Sequence, residues 1–290
     1  MSLLSPSSML RLERLRLLSR RSSASGAAGD RRSTAQGASA EFVDHRDYLL
    51  GDDPRSIDWH AYARLEKLFV KLFMQESEVA VHLIVDASAS MGFGSPPKLE
   101  LAARLAASLS FVALANSDRA GLFLMGGSAP GFIAPGRGRP WHGRILDRLE
   151  RARAEGRPDA LAEMERHAAR VRRRGVAIVV SDFLDPAYPA ALKPLLARRH
   201  EVWCLQVLSA EDLGDGLSGD LQLIDSESGE QREITVSRET LAAYRDGVER
   251  FQRELERWCV GHGAGFAGLR SDADLDAAIV DVLRRRRLLA

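Results

Sequence analysis

Apolar positions along this chain follow two rhythms. The runs VAVHLIVD (79–86), RAGLFLMGG (119–127), GVAIVVSD (175–182) and EVWCLQVL (201–208) are short, nearly continuous and bounded by turn signals. Such runs predict central β-strands covered on both faces. Between them the spacing changes to threes and fours. Lys98–Ala115 places Leu101, Leu105, Leu109 and Val112 on one helical face, 143–174 reads as mostly helical with a break at Gly156-Arg157-Pro158, and 189–198 is a further helix. LQLID and REITV around Ser228-Gly229-Glu230 predict a small hairpin. Ser237 opens a helix to Cys259 whose stripe Leu241, Tyr244, Val248, Phe251, Leu255 and Trp258 is read as packing on the protein's own sheet, with a coiled-coil seam as the alternative. AGFAGLR (264–270) and 275–285 complete the pattern as a last strand and helix. Strands alternating with helices predict an α/β fold built on a parallel sheet.

The N-terminal part is organised differently. Ser5 and Pro6 predict the cap and first turn of a helix over 6–20, followed by the small-residue linker SSASGAAG. Residues 41–64 interleave charges of both signs with Phe42, Tyr48, Ile57 and Trp59, and Asp53 is placed to cap a short helix starting at Pro54. LEKLFVKLFMQE then reads as a strand, with a turn at Ser77. The expected division is a basic helix and linker (1–40), a charged and aromatic clasp with an edge strand (41–77), and an α/β domain (78–290).

Charge and composition narrow the function. Net charge is +1, but residues 1–40 carry seven Arg against Glu13 and Asp30, and Arg284–Arg287 close the chain. The intervening 41–283 has 30 basic and 38 acidic side chains, so the body is acidic and no nucleic-acid partner is expected. The longest apolar-leaning run, Leu105–Ala115, has 11 residues, against the roughly 20 of a helical span, so no transmembrane segment is expected. The N-terminus lacks the apolar core of a signal peptide. Cys204 and Cys259 sit in apolar stretches and read as buried thiols in a reducing compartment, the cytoplasm, with peripheral membrane contact open to the basic first helix.

Candidate chemistry centres on Asp86-Ala87-Ser88-Ala89-Ser90-Met91-Gly92, where the first central strand ends. Ligands gather beyond the carboxyl ends of strands in open α/β sheets. Asp86, Ser88 and Ser90 offer one carboxylate and two hydroxyls at alternate positions, hard ligands suited to Mg²⁺ or Mn²⁺, and Asp182 ends a second buried strand. In the alternative reading, Ser88 and Ser90 cap the following turn while Asp86 accepts their backbone amides.

The Asp-x-Ser-x-Ser-Met sequence resembles the metal-ion-dependent adhesion site of von Willebrand factor A domains. A longer set narrows the match: Arg32-Ser33, Gly37, Glu41-Phe42, Arg46-x-Tyr48-x-x-Gly51-Asp52-x-x-Arg55-x-Ile57-Asp58-Trp59, Ala63-Arg64 and Leu223-x-Asp225-x-Glu227-x-Gly229-Glu230. These resemble domain-of-unknown-function family 58, bacterial proteins often associated with MoxR-type AAA+ ATPases. The resemblance implies a von Willebrand factor A-like, Rossmann-like sheet, mostly parallel, with helices on both faces and an N-terminal extension. It also implies a non-catalytic adaptor or scaffold whose partners are a MoxR-type ATPase and other von Willebrand factor A proteins. Asp86, Ser88, Ser90 and Asp182 would hold the metal. The adhesion-site Thr has no counterpart, because no Thr lies between Thr34 and Thr235 and Ser128 is the nearest hydroxyl after the second strand.

Arg46, Tyr48, Asp52, Arg55, Asp58, Trp59 and Arg64 form the candidate clasp or partner surface. Local pairing of Arg46, Arg55 and Arg64 with Asp47, Asp52 and Asp58 is the simpler expectation, and exposed pairs of that kind contribute under ~1 kcal/mol each. Enzyme signatures are missing: there is no GxxxxGK[ST], GxSxG or HExxH. Gly263–Gly268 matches GxGxxG but follows a helix and enters a strand, the reverse of a dinucleotide site. The seven His are scattered, and His82, within a core strand, reads as a packing residue. The rival functions are a metal-dependent hydrolase using the same acidic pocket and a structural subunit with a vestigial metal site.

Overall fold

The computed structural model describes residues 3–18, 41–74, 78–127, 131–171, 173–224 and 229–290. Two units emerge: one joins the N-terminal residues to 79–290, and the other lies within 20–78. The linker SSASGAAG and the motif residues Arg32, Ser33, Gly37, Ser77, Ser128, Asp225 and Glu227 lie outside the described residues.

The first helix, α1 (Pro6–Leu12), starts as expected, with Ser5 accepting from the Ser8 amide and Pro at the first position. It does not reach Arg20. After Leu12 the chain turns so that Leu15 and Leu17 are buried, and Leu17 bridges Leu289 in antiparallel fashion. Continuing the helix would have kept Leu15 and Leu17 on the α1 axis; burying them against the C-terminus wins over local helix propensity.

In the smaller unit β1 (Glu41–Asp47) and β2 (Phe69–Met74) pair antiparallel, with a register shift between Phe42 and Asp44. Between them a 3₁₀ turn, Pro54–Ser56, is capped by Asp53, and α2 (Trp59–Leu65) is capped by Asp58.

The larger unit is built on a six-stranded sheet of β3 (Ala80–Ala87), β4 (Arg119–Gly126), β5 (Gly131–Gly136), β6 (Val176–Ser181), β7 (Glu201–Leu208) and β10 (Gly265–Arg270). Strand order is β10-β7-β6-β3-β4-β5, parallel except for β5. Edge strand β5 has no alternating signature, because Pro135 and two Gly hide its periodicity; an edge position tolerates the missing donor. The hairpin β8 (Gly219–Ile224) and β9 (Gln231–Val236) stands apart from the sheet.

Strand alternation divides the core into two layers. Val81, Leu83 and Val85 of β3 face a cluster containing Leu12, α3 (Lys98–Ala115), α4 (Arg139–Glu150) and α8 (Leu275–Ala277), which continues as a π-helix over Ala278–Leu283. Ile84 faces the opposite cluster, made by α5 (Ala160–Arg170), α6 (Tyr188–Ala197) and α7 (Arg238–Gly261). Only the second half of the α7 stripe reaches the core: Leu255 and Cys259 are buried, whereas Tyr244 is exposed. The long helical stretch expected over 143–174 is interrupted across 151–159. A mostly parallel sheet with helices on both faces is the von Willebrand factor A-like architecture expected from the sequence.

Candidate functional site

The C-terminal ends of β3 and β6 lie side by side, and their alternation decides what each acid meets. Asp86 points to the α6 layer. Its Oδ2 accepts from the hydroxyls of Ser181 (2.7 Å) and Tyr188 (2.5 Å), and its Oδ1 accepts from the Ser88 amide (2.9 Å). The Ser181 and Tyr188 oxygens are themselves 2.8 Å apart, and the Phe183 amide donates to Ser181 Oγ. Burial raises the Asp86 pKa above the ordinary carboxylate value; the three hydrogen bonds oppose that rise, and the negative charge of Asp182 adds to it. Burial, reinforced by Asp86, also holds the Tyr188 phenol well above its usual value.

Asp182 turns to the other face, toward α3. Its Oδ2 receives the Lys98 ammonium at 2.7 Å, and the same ammonium lies 3.0 Å from Asp212 Oδ2. The Lys98 side chain is 1% exposed, against 4% for Asp182 and 12% for Asp212. The loop after β7 holds Asp212 in place: the Ser209 amide donates to its carboxylate and its own amide donates to Ser209 Oγ. Gln206 Nε2 donates to the Asp182 carbonyl, and Gln252 Nε2 donates in turn to Gln206 Oε1. Gly94 lets the α3 approach pass this loop, since at φ +98° a Cβ would fall 2.3 Å from Ser209 Cβ.

Of the four predicted metal residues, Ser88 and Ser90 come together, with hydroxyls 3.1 Å apart, and the Ser88 amide joins Asp86. Asp182 is instead committed to Lys98. The arrangement does not fit a divalent cation. Asp86 already receives two hydroxyl hydrogens and an amide, the Asp182 oxygen that would ligate is occupied by an ammonium, and no group of three acidic, His or Cys side chains among the described residues is arranged to hold a metal ion. A carboxylate ligates such an ion only when ionised and free to face it, and an ammonium already seated on that carboxylate repels the ion.

Lys98, Asp212, Ser181 and Tyr188 escaped sequence reasoning. One signal was available for Lys98: a cation in the first turn of a helix opposes the helix dipole, so something other than helix stability keeps it there.

The clasp residues arrange themselves within the smaller unit. Arg46 makes a bidentate pair with Asp52 (2.6 and 2.7 Å) rather than with Asp47, and Asp52 also accepts from the Leu49 amide. That contact lowers the Asp52 pKa and raises that of Arg46. Asp58 pairs with His45 at 2.8 Å and caps α2 through the His60 and Ala61 amides. Asp53, rather than Asp52, meets residue 55, and it does so by accepting from the Arg55 backbone amide. Tyr48 is half-buried, Ile57 is buried, and Trp59 is 60% exposed.

Elsewhere, residues distant in sequence meet. His82, His167 and His200 are buried neighbours, with rings 5.8 and 4.9 Å from His82. His82 Nε2 lies 3.2 Å from the Arg173 carbonyl, which makes it the packing residue expected. Burial, with His200 and His167 beside it, lowers His82 to about 3, and burial likewise lowers His167 to about 4. Cys204 and Cys259 are both buried and free, and contact with Cys259 together with burial raises the Cys204 thiol. Arg284–Arg287 are exposed, and Arg286 pairs with Glu256.

Comparison with known proteins gives related chains and similar folds. The chain is 31% identical over 266 residues to the uncharacterised protein Rv1480 of Mycobacterium tuberculosis, covering 89% of this chain and 83% of that one. It is 34% identical over 116 residues to the uncharacterised protein MAV169 of Mycobacterium avium, covering 40% and 69%. Among solved structures, the conserved hypothetical protein BatB of Bacteroides thetaiotaomicron matches with a TM-score of 0.44 and 16% identity over 72% of this chain and 98% of that one. The SpRpn10 VWA domain matches with a TM-score of 0.40 and 11% identity over 71% and 95%. No helix among the described residues is long and apolar enough to cross a membrane. The family described as "Protein of unknown function DUF58" matches residues 44–254, nearly the whole span from the charged segment to α7, and the chain belongs to that family.

Proposed function

We propose that this chain is a non-catalytic protein-interaction module, an adaptor or scaffold for a MoxR-type AAA+ ATPase, and that it works without a divalent metal. One observation carries the metal-free reading: the buried Lys98 ammonium bridges Asp182 and Asp212 at the sheet end where an adhesion-type domain would hold Mg²⁺ or Mn²⁺. A tethered cation satisfies both carboxylates but presents no open coordination position, so a partner carboxylate would gain nothing by reaching it. The site is therefore read as a vestigial metal site kept as an internal ion cluster. A hydrolase needs an activated water at such a pocket, and Lys98 stands in its place.

Partner contact is assigned to the rim of the same sheet end. Phe93, whose ring lies 5.8 Å from Lys98 Nζ, is 48% exposed, and Leu184, whose amide donates to Asp182, is 45% exposed. Apolar side chains beside buried charge suit the core of an interface. Other von Willebrand factor A-like proteins are proposed as further partners and the cytoplasm as the compartment, the latter supported by two free thiols.

The test is binding of the full chain to the MoxR-type ATPase of the same genome, loaded with ADP, by biolayer interferometry in Mg²⁺ and in EDTA. Equal affinity in both, weakened at least about tenfold by Phe93→Glu with Leu184→Glu, is expected. Binding that needs Mg²⁺ on this chain, or that ignores the double substitution, would overturn the proposal.

A further inference from the structure

The opposite end of the sheet carries a second feature, unrelated to the acidic cluster. The segments leading into β6 and β7 run side by side, with the Glu201 amide donating to the Gly175 carbonyl at 3.0 Å. They bring Arg173, Arg174, Arg198, Arg199 and His200 around one cavity of about 260 Å³ that no acidic side chain lines. All four Arg are exposed, and none pairs with an acid among the described residues.

Cations near helix C-termini are favoured by the helix dipole, and Arg198 and Arg199 follow α6 directly. That effect acts on each side chain separately and gives no reason for four guanidiniums to line one cavity, where their mutual repulsion opposes it. Arg199 adopts φ +59° as the left-handed residue that ends α6, its amide donating to the Leu196 carbonyl at 2.8 Å and the His200 amide to the Leu195 carbonyl at 3.2 Å. His200 is oriented by the Gly175 amide donating to its Nδ1, and the Arg173 carbonyl is tied to His82.

A second cavity, about 290 Å³, adjoins the first and shares Ala197 and Arg198 with it. It runs between α5 and α6 and is lined by Ala168, Ala169 and Pro194 together with Glu165, whose carboxylate belongs beside the organic part of a ligand rather than its anionic end. A basic pocket opening into a small-residue groove matches a ligand that is anionic at one end and organic at the other.

We propose that this paired cavity binds a small organic phosphate, its phosphoryl groups among Arg173, Arg174, Arg198 and Arg199 and its organic part along the α5–α6 groove. Guanidinium forks recognise phosphate oxygens two at a time, which gives four of them room for a diphosphate. The site lies at the strand amino ends, so its occupancy does not depend on the adaptor reading of the acidic end.

The experiment uses the full chain, with ADP and inorganic pyrophosphate as probes, by isothermal titration calorimetry at fixed pH without Mg²⁺, against chloride at matched ionic strength. Saturable binding of both is expected, with ADP the tighter. Arg173→Glu with Arg198→Glu, both at exposed positions, should weaken both probes by at least about 30-fold and leave the melting temperature of the free protein unchanged. Ala169→Trp, which fills the groove from an exposed position, should bring ADP down to the affinity of pyrophosphate. Binding no stronger than the chloride control, or a double Arg variant that binds like wild type, overturns the site. ADP binding that Ala169→Trp leaves untouched overturns the groove assignment.

Discussion

Replacing Lys98 by Met tests the internal ion cluster directly. Met keeps most of the unbranched stem and its packing but removes the ammonium that lies 2.7 Å from Asp182 and 3.0 Å from Asp212. Two carboxylates are then left close together with almost no solvent around them. Breaking a buried pair by removing one partner costs about 3–5 kcal/mol, because the surviving charge stays desolvated. For a unit of this size that corresponds to a fall of roughly 10 °C in melting temperature. Burial limits screening, so added monovalent salt should recover little of it. Two second measurements isolate the cause. Adding Asp182→Asn and Asp212→Asn to Lys98→Met should restore most of the loss, since neither carboxylate remains to be neutralised. Millimolar Mg²⁺ should raise the melting temperature of Lys98→Ala, where two carboxylates face a vacated space, and leave wild type unmoved. Differential scanning calorimetry reads all of these. A Lys98→Met chain melting within about 2 °C of wild type would refute the reasoning, as would a wild type stabilised by Mg²⁺ as much as the variant.

Acid should destabilise the protein. His82 and His167 titrate at about 3 and 4 in the fold but near 6.5 when unfolded, so below pH 6.5 the unfolded state binds the extra protons and stability falls as pH drops toward 4. Asp86, whose folded pKa is raised, acts in the opposite sense and offsets part of the slope, leaving about 1–2 kcal/mol per pH unit near pH 5 in urea titrations; a flat profile between pH 7 and 5 would contradict it. Both ring nitrogens of His167 are buried without a hydrogen-bond partner among the described residues, so His167→Leu should be neutral or stabilising by ~1 kcal/mol and should shallow that slope. Asp86→Asn should be tolerated better than Asp86→Ala, which strips the Ser181 and Tyr188 hydroxyls of their acceptor at a cost of about 1–3 kcal/mol by chemical denaturation; equal stabilities would sink the assignment. Asp58→Ala removes the cap of α2, and a loss of ~1 kcal/mol in its local stability by hydrogen exchange is expected.

The alternation of strand and helix was legible because each element carries its own evidence. Lys98–Ala115 was read with the boundaries it has, and the four central strands came within a residue or two, since burial on both faces leaves a continuous apolar run. Legibility failed where local pattern and tertiary burial disagree: at α1, shortened so that Leu17 can meet Leu289, and at β5, whose Pro and Gly are acceptable only on an edge. Arg46 likewise found Asp52 rather than Asp47, because a bidentate fork needs a carboxylate across a turn, not on the next residue of a strand.

The site divides along the same line. Asp86, Ser88, Ser90 and Asp182 could be placed at strand ends from the sequence, since a strand's last residues fall where its apolar run stops. Their partners could not. Lys98 reaches Asp182 across 84 residues and Tyr188 reaches Asp86 across 102. Those meetings depend on which strands are neighbours, in what register, and toward which face each side chain points. His82, His167 and His200, and the arginines of the opposite end, converge for the same reason. Sequence by itself determined the elements and the acids at their ends, because local periodicity and burial suffice for that. Only the tertiary structure decided that the positive charge among those acids is a lysine, because contacts between distant residues are set by sheet order and register, which no local pattern encodes.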